Sequence, residues 1–172
     1  MIVQQGNEIL RKKADLVSNA NPVKLNMLIK KLADTMFKEP DGIGIAAPQI
    51  GESLQIFLVA KDLFLLHSEM QEANRKERKK DYMIFINPIL KKLSQKKDKD
   101  IEGCLSVRGV YGEVARSEKV NIEYFDEHGK KHERGASGLL ARVIQHEMDH
   151  LNGILFIDKA KRIKSLNMKH ET

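Results

Sequence analysis

The sequence has one cysteine in 172 residues, no long apolar run and few aromatic side chains. With Cys104 alone no internal disulfide forms, so this residue must be a buried small hydrophobe, a reactive thiol or a metal ligand. No stretch reaches the roughly 18 consecutive apolar residues of a membrane span. Met1 is followed by IVQQGNEIL rather than by a basic segment, an apolar core and a small-residue cleavage site, so no secretory signal is expected. The expectation is a cytoplasmic protein with no membrane partner. Aromatics make up only 5% of the chain, and although the net charge is +6, the basic runs lack the interleaved aromatics of a stacking platform for single-stranded nucleic acid. RKERKK (75–80), KKLSQKKDK (91–99) and DKAKRIKSLNMK (158–169) are therefore read as solvated surface, and DNA is not an expected partner.

A hydrophobic content of 41% and this length imply one domain, residues 1–172, able to bury a core without disulfides. NPVKLNMLIKKLADTMF opens with Asn21 as cap and Pro22 in the first turn, then repeats apolar residues at Leu25, Leu28, Ile29, Leu32 and Met36. This predicts an amphipathic helix ended by EPDG (39–42). QIFLVA (55–60) and YMIFI (82–86) read as strands, the second closed by Asn87 and Pro88. VNIEYF (120–125) alternates like a half-buried strand, and DEHGK turns it back into KHER (131–134) as a hairpin. A helix, a strand-rich middle and a late helix predict an α+β domain.

The late helix, SGLLARVIQHEMDHLNG, starts near Ser137 and has Gly153 placed to stop it. At about 100° per residue, Leu139, Val143, His146 and His150 form one stripe and Leu140, Ile144, Glu147 and Leu151 the next, with Arg142, Gln145 and Asp149 on the other side. Both histidines thus lie on the face that meets the rest of the protein, where unpaired imidazoles are costly. They are either core histidines satisfied by hydrogen bonds or ligands. Histidines four apart direct nitrogens to one metal, and a glutamate beside the first takes a proton from a water that the cation acidifies.

A catalytic site of this kind takes three protein ligands. Asp158, His170 and Glu171 follow His150, the last two in a terminal tail, whereas Cys104 in EGCLS offers a thiolate with close backbone approach at Gly103. The remaining motif, GIGIAAPQIG (42–51), superficially fits a nucleotide fingerprint. It follows a helix rather than a strand, meets Pro48 and lacks the Lys-Ser/Thr pair of a phosphate loop. It reads instead as a small-residue segment whose backbone lies against a ligand, with Gln49 supplying an amide, or as a structural turn.

GIGIAAPQ, EGCLS and QHEMDHLNG, in this order and spacing, resemble the peptide deformylase family, with looser likeness from NEILRKKADLV through FINP to GILFIDK. The resemblance implies an α+β fold with strands packed around a central metal-binding HExxH helix. It implies Cys104, His146 and His150 as ligands of one divalent ion, Glu147 as acid/base, and Gln49 with the Leu105 backbone N–H as oxyanion donors. Ferrous iron is the favoured ion, with zinc, nickel or cobalt as alternatives. The implied activity is removal of the formyl group from the N-terminal formylmethionine of nascent polypeptides, releasing formate, with transient ribosome contact. Backbone at Ile43, Gly44, Ile45 and Gly103 is expected to hold the peptide, and Ile43, Leu139 and Val143 to line the methionine pocket. Arg142 stands where relatives often carry an apolar pocket residue; its stem is expected along that pocket with its charge at the mouth. A general metallopeptidase shares the helix but leaves EGCLS unexplained. An RNA-binding protein explains the charge but not the His, Glu and Cys set.

Overall fold

The computed structural model describes residues 1–18, 21–63 and 80–165. Helix α1 spans Pro22–Lys38, and the Asn21 side chain accepts hydrogen bonds from the amides of Val23 and Lys24. Pro22 suits the first turn because an N–H there has no intrahelical partner. The strands are β1 (Gly44–Ala46), β2 (Ile56–Ala60), β3 (Tyr82–Leu93), β4 (Lys97–Cys104), β5 (Val107–Ser117), β6 (Lys119–Phe125), β7 (Lys131–Ser137) and β8 (Lys161–Ser165). Helix α2, Gly138–Leu151, follows β7.

Five strands pair in the order β1-β2-β3-β6-β7, and β4-β5-β8 form a second sheet. All of these pairings are antiparallel. Every residue of β2 is buried, and its alternation feeds two cores. Phe57 and Val59 join Phe85, Val120 and Ile122 against Ala141, Val143, Ile144 and Leu151 of α2. Ile56, Leu58 and Ala60 meet Ile29, Leu32, Ala33 and Met36 of α1. The two helices therefore cover opposite faces of the larger sheet. Full burial of a Val, Leu, Ile or Phe side chain contributes roughly 1.5–3 kcal/mol, so β2 anchors both layers.

The structure departs from the sequence reading in four places. The strand predicted to close at Asn87 and Pro88 continues to Leu93, because a register shift between Ile86 and Ile89 takes up the proline. Asn87, at φ 48°, uses its side chain to bond both the amide and the carbonyl of Val17. The basic run 91–99 forms the end of β3 and the start of β4, so its solvated residues are also sheet residues. The tail expected to be solvated supplies β8, exposed yet paired to β5. Lastly, Arg142, Gln145 and Asp149, read as the far side of α2, are all buried. Gln145 explains why: it accepts from the Ser117 amide and donates to the Ser117 carbonyl, docking β5 on α2.

Residues 75–79 of the basic run, His170 and Glu171 lie outside the described residues. Among the described residues, no helix is long and apolar enough to cross a membrane.

Gly153 ends α2 at φ 73°, and a Cβ there would lie 2.6 Å from the Arg11 carbonyl oxygen. Gly153→Ala combines a left-handed backbone with a backbone collision, so it should cost more than about 1 kcal/mol in urea unfolding. Wild-type stability in that variant would show that the helix end and the N-terminal segment are not packed this tightly.

Candidate metal centre and active site

Alternation along β4 turns Glu102 and Cys104 toward α2, and the helical repeat turns His146 and His150 toward β4. The Cys104 Sγ and one ring nitrogen from each histidine lie within 4.8 Å of one another. Sγ is 3.2 Å from His150 Nε2. It also accepts from the Ser106 amide at 3.4 Å and from Gln49 Nε2 at 3.6 Å. A thiolate and two imidazoles are a donor set for a borderline divalent cation, so the residues present fit such an ion. Of the candidates for the third donor, Asp158 is instead bound to Arg11 and to the Leu155 amide.

The surroundings fix the ring of His146. Its Nδ1 is 3.0 Å from Glu102 Oε2, so the Nδ1–H is held by the carboxylate and Nε2 is left as the donor. Glu102 is itself gripped by Arg116 through Nε and Nη2, both at 2.8 Å, and by Arg142 Nη1 at 2.8 Å. Arg116 reaches on to Asp149, which also accepts from Lys159 at 2.6 Å. Burial works against the Glu102 anion, yet Arg116 and His146 hold its carboxyl well below the ordinary range. Burial likewise opposes charge on His146, but hydrogen bonds to Cys104 and Glu102 raise its pKa to about 10. Burial, with His146 and Arg116 nearby, pushes His150 far down. A cation at this position would displace the proton from His146.

Glu147 lies beside the donors and is 3% exposed. Its Oε2 has no hydrogen-bond partner among the described residues. A Cβ on Gly44 would strike Glu147 Oε1 and lie 2.9 Å from Val143 Cγ1, so glycine at that position lets the carboxylate rest against β1. Gln49, in a 3-10 turn over Ala47–Ile50, accepts from the Ala46 amide at 2.8 Å. That contact points its Nε2 at Cys104 and at Ser106 Oγ, 3.2 Å away. Leu105 follows the thiol in the tight link between β4 and β5.

Of the residues expected to bind a peptide, Val143 is buried, and Ile43 and Leu139 are half-buried beside it in one cluster. The Ile45 side chain packs toward α1, so only its backbone can serve. Gly103 is glycine for a reason the sequence does not reveal: a Cβ would lie 2.9 Å from the Tyr111 ring. Arg142 is corrected. Its guanidinium bonds Glu102, the Val114 carbonyl and the Asp98 carbonyl, which keeps its charge behind the donors rather than at a pocket mouth. Sequence reasoning gave no role to Glu102 or Arg116 and placed Asp149 on the far side of α2. Only the distribution of acids on β4 and α2 against Arg116 hints at them.

An α+β scaffold that aims a thiol and two imidazoles at one point beside a buried glutamate is of the class of metal-dependent hydrolases. The family model described as polypeptide deformylase matches residues 1–166. The peptide deformylase of Christiangramia forsetii is 39% identical over 98% of this chain and 85% of its own length. Among solved structures, a peptide deformylase from Plasmodium falciparum is similar at TM-score 0.79 and 38% identity, covering 94% of this chain and 87% of that one. Another, from Synechococcus elongatus in complex with actinonin, is similar at TM-score 0.80 and 36% identity, covering 94% and 79%. The chain belongs to the peptide deformylase family, enzymes that remove the formyl group from the N-terminal methionine of nascent polypeptides. Its fold is the family's, a mainly antiparallel sheet arrangement with two helices.

Burial raises the Glu147 carboxyl from 4.5 to about 7. In the cation-free protein the fold therefore keeps this proton while the unfolded chain loses it. Stability from this group is full below about pH 4.5 and is lost as pH rises to about 7. Cation-free Glu147→Gln escapes that loss, so its melting temperature relative to wild type should climb across this window. A constant difference would contradict burial of a protonated Glu147.

Proposed function

We propose that Cys104, His146 and His150 hold one divalent cation, that Glu147 is the acid/base group, and that Gln49 with the Leu105 N–H stabilises the oxyanion during deformylation. The observation that carries this reading is the convergence of the three donors beside a buried, unpartnered carboxylate oxygen. The chain acts as a single catalytic domain, its sheets arranged about α2 as the metal-binding helix. The donor set suits ferrous iron, zinc, nickel or cobalt, and ferrous iron is the resident ion we propose. When bound, the cation acidifies water and polarises the formyl oxygen.

Glu147 takes the proton from the attacking water and returns it to the departing amine, which leaves formate and a free N-terminus. Gln49 Nε2, aimed by the Ala46 amide, and the Leu105 N–H donate to the oxygen as charge builds on it. β1 and β4 are each an edge of their sheet. The backbone of Ile43, Gly44 and Ile45 on one side and of Gly103 on the other binds the peptide in extended form, while Ile43, Leu139 and Val143 receive the methionine side chain. The protein works in the cytoplasm and meets its substrates through transient contact with the ribosome.

The deciding assay is formate release from a formyl-Met peptide, with an unformylated peptide as control. Cleavage of the control would favour a general metallopeptidase. Alanine at Cys104, His146 or His150 should greatly lower cation occupancy, and full occupancy in all three variants would sink the ligand assignment. Glu147→Ala should keep the fold and the cation yet lose about 100- to 10,000-fold in turnover. Near-normal turnover in that variant would refute the mechanism.

A further inference from the structure

We propose that Arg142 is a positioning residue for the metal centre, acting through Glu102 on His146; the inference rests on the ligand assignment above. Arg142 stands one helical turn before His146 on α2, and its guanidinium is buried. Nη1 donates to Glu102 Oε1 at 2.8 Å and to the Val114 carbonyl at 3.0 Å, and Nη2 donates to the Asp98 carbonyl at 2.9 Å. The Asp98 carboxylate is 3.7 Å away and largely exposed. Arg142 thus ties β4, β5 and α2 at one point, and among the described residues its only close buried carboxylate partner is the one that holds His146.

The division of labour on that carboxylate is specific. Arg116 takes both oxygens in a bidentate fork, Nε to Oε1 and Nη2 to Oε2. Oε2 also receives the Nδ1–H of His146. Without Arg142, Glu102 could pivot about the Arg116 fork and change the angle at which Oε2 meets the imidazole. With Arg142 on Oε1, the carboxylate is held from two directions and Oε2 is fixed toward His146. A ligand whose hydrogen-bond partner is fixed keeps its Nε2 lone pair aimed at the cation. Loss of such a partner commonly costs about 10- to 100-fold in metal affinity.

The carbonyl contacts allow a competing account in which Arg142 only ties strands to the helix. That role lowers stability but leaves the release of a bound cation from folded protein unchanged. The test measures Co2+ release to excess chelator from the full chain, under conditions where circular dichroism shows it folded. Arg142→Met keeps the stem and removes the donors. It should release Co2+ about 10-fold faster than wild type and change the ligand-field spectrum, and Arg142→Lys should recover part of the difference. A folded methionine variant with the wild-type release rate and spectrum overturns the proposal. If the methionine variant does not fold, Arg142→Gln, which keeps a donor for the Val114 carbonyl without charge for Glu102, gives the same reading: faster release supports the proposal and the wild-type rate overturns it. A wild-type chain that holds no Co2+ overturns the ligand assignment as well, which separates the two failures.

Discussion

Around the Glu102 carboxylate, three elements meet. It projects from β4, receives Arg116 from β5, and receives Arg142 and His146 from α2. Asp149 and Lys159 extend the set, so two carboxylates face two guanidiniums and an ammonium. Buried ions lose hydration worth several kcal/mol each, and only near-complete pairing offsets it. Removing one partner leaves the others stranded, at about 3–5 kcal/mol. The smaller sheet therefore meets α2 in one register. That register carries Cys104, two residues beyond Glu102 on the same face of β4, to the two histidines.

The Glu147 side of α2 is organised by the opposite tactic. Among the described residues, Glu147 has no ion-pair partner and one of its oxygens is unsatisfied. An unpartnered buried polar group is unfavourable by about 1–3 kcal/mol. The apolar contacts of Val143, Ile144 and Leu151 with β2, β3 and β6 offset that cost. Gly44 contributes by lacking a side chain, since any Cβ would displace the carboxylate. Helix α2 thus carries a paired polar side, an apolar side and between them a carboxylate left free for a proton.

Legibility in the sequence followed the physics of each part. α1, β2, β6 and α2 were readable because burial imprints a period of 3.6 or 2 on apolar residues. The clustering of Cys104, His146 and His150, the proposed ligands, was readable because the HEMDH spacing is local and EGCLS and GIGIAAPQ completed a family pattern. β4 was not, since KDKDIEGC alternates charge with charge and its inward face is built from Glu102 and Cys104 rather than from apolar residues. The ion-pair partners were hidden for another reason. Arg116 and Asp149, or Arg142 and Glu102, are separated by 33 and 40 positions, and a charged residue looks the same in sequence whether it is solvated or buried with a partner. Arg142 shows the consequence: the family resemblance placed it near a pocket, while its direction is set by a carboxylate on a strand that the pattern did not reveal.

The charge pattern of β4 also has a use that its sequence conceals. An edge strand invites pairing by any passing chain unless charge or shape blunts it. Lys97, Asp98 and Lys99 are exposed along the first half of β4, far from the thiol, and suit that end to repel additions. The second half, Ile101 to Cys104, carries Gly103 and approaches the donors. β1, an edge of the larger sheet, is only three residues long and wholly buried, which leaves little room for a foreign strand. Under the proposed mechanism, strand addition at β1 and β4 is then confined to the few residues flanking Cys104 and Gly44. A short extended N-terminus fits that space, and a folded sheet edge does not.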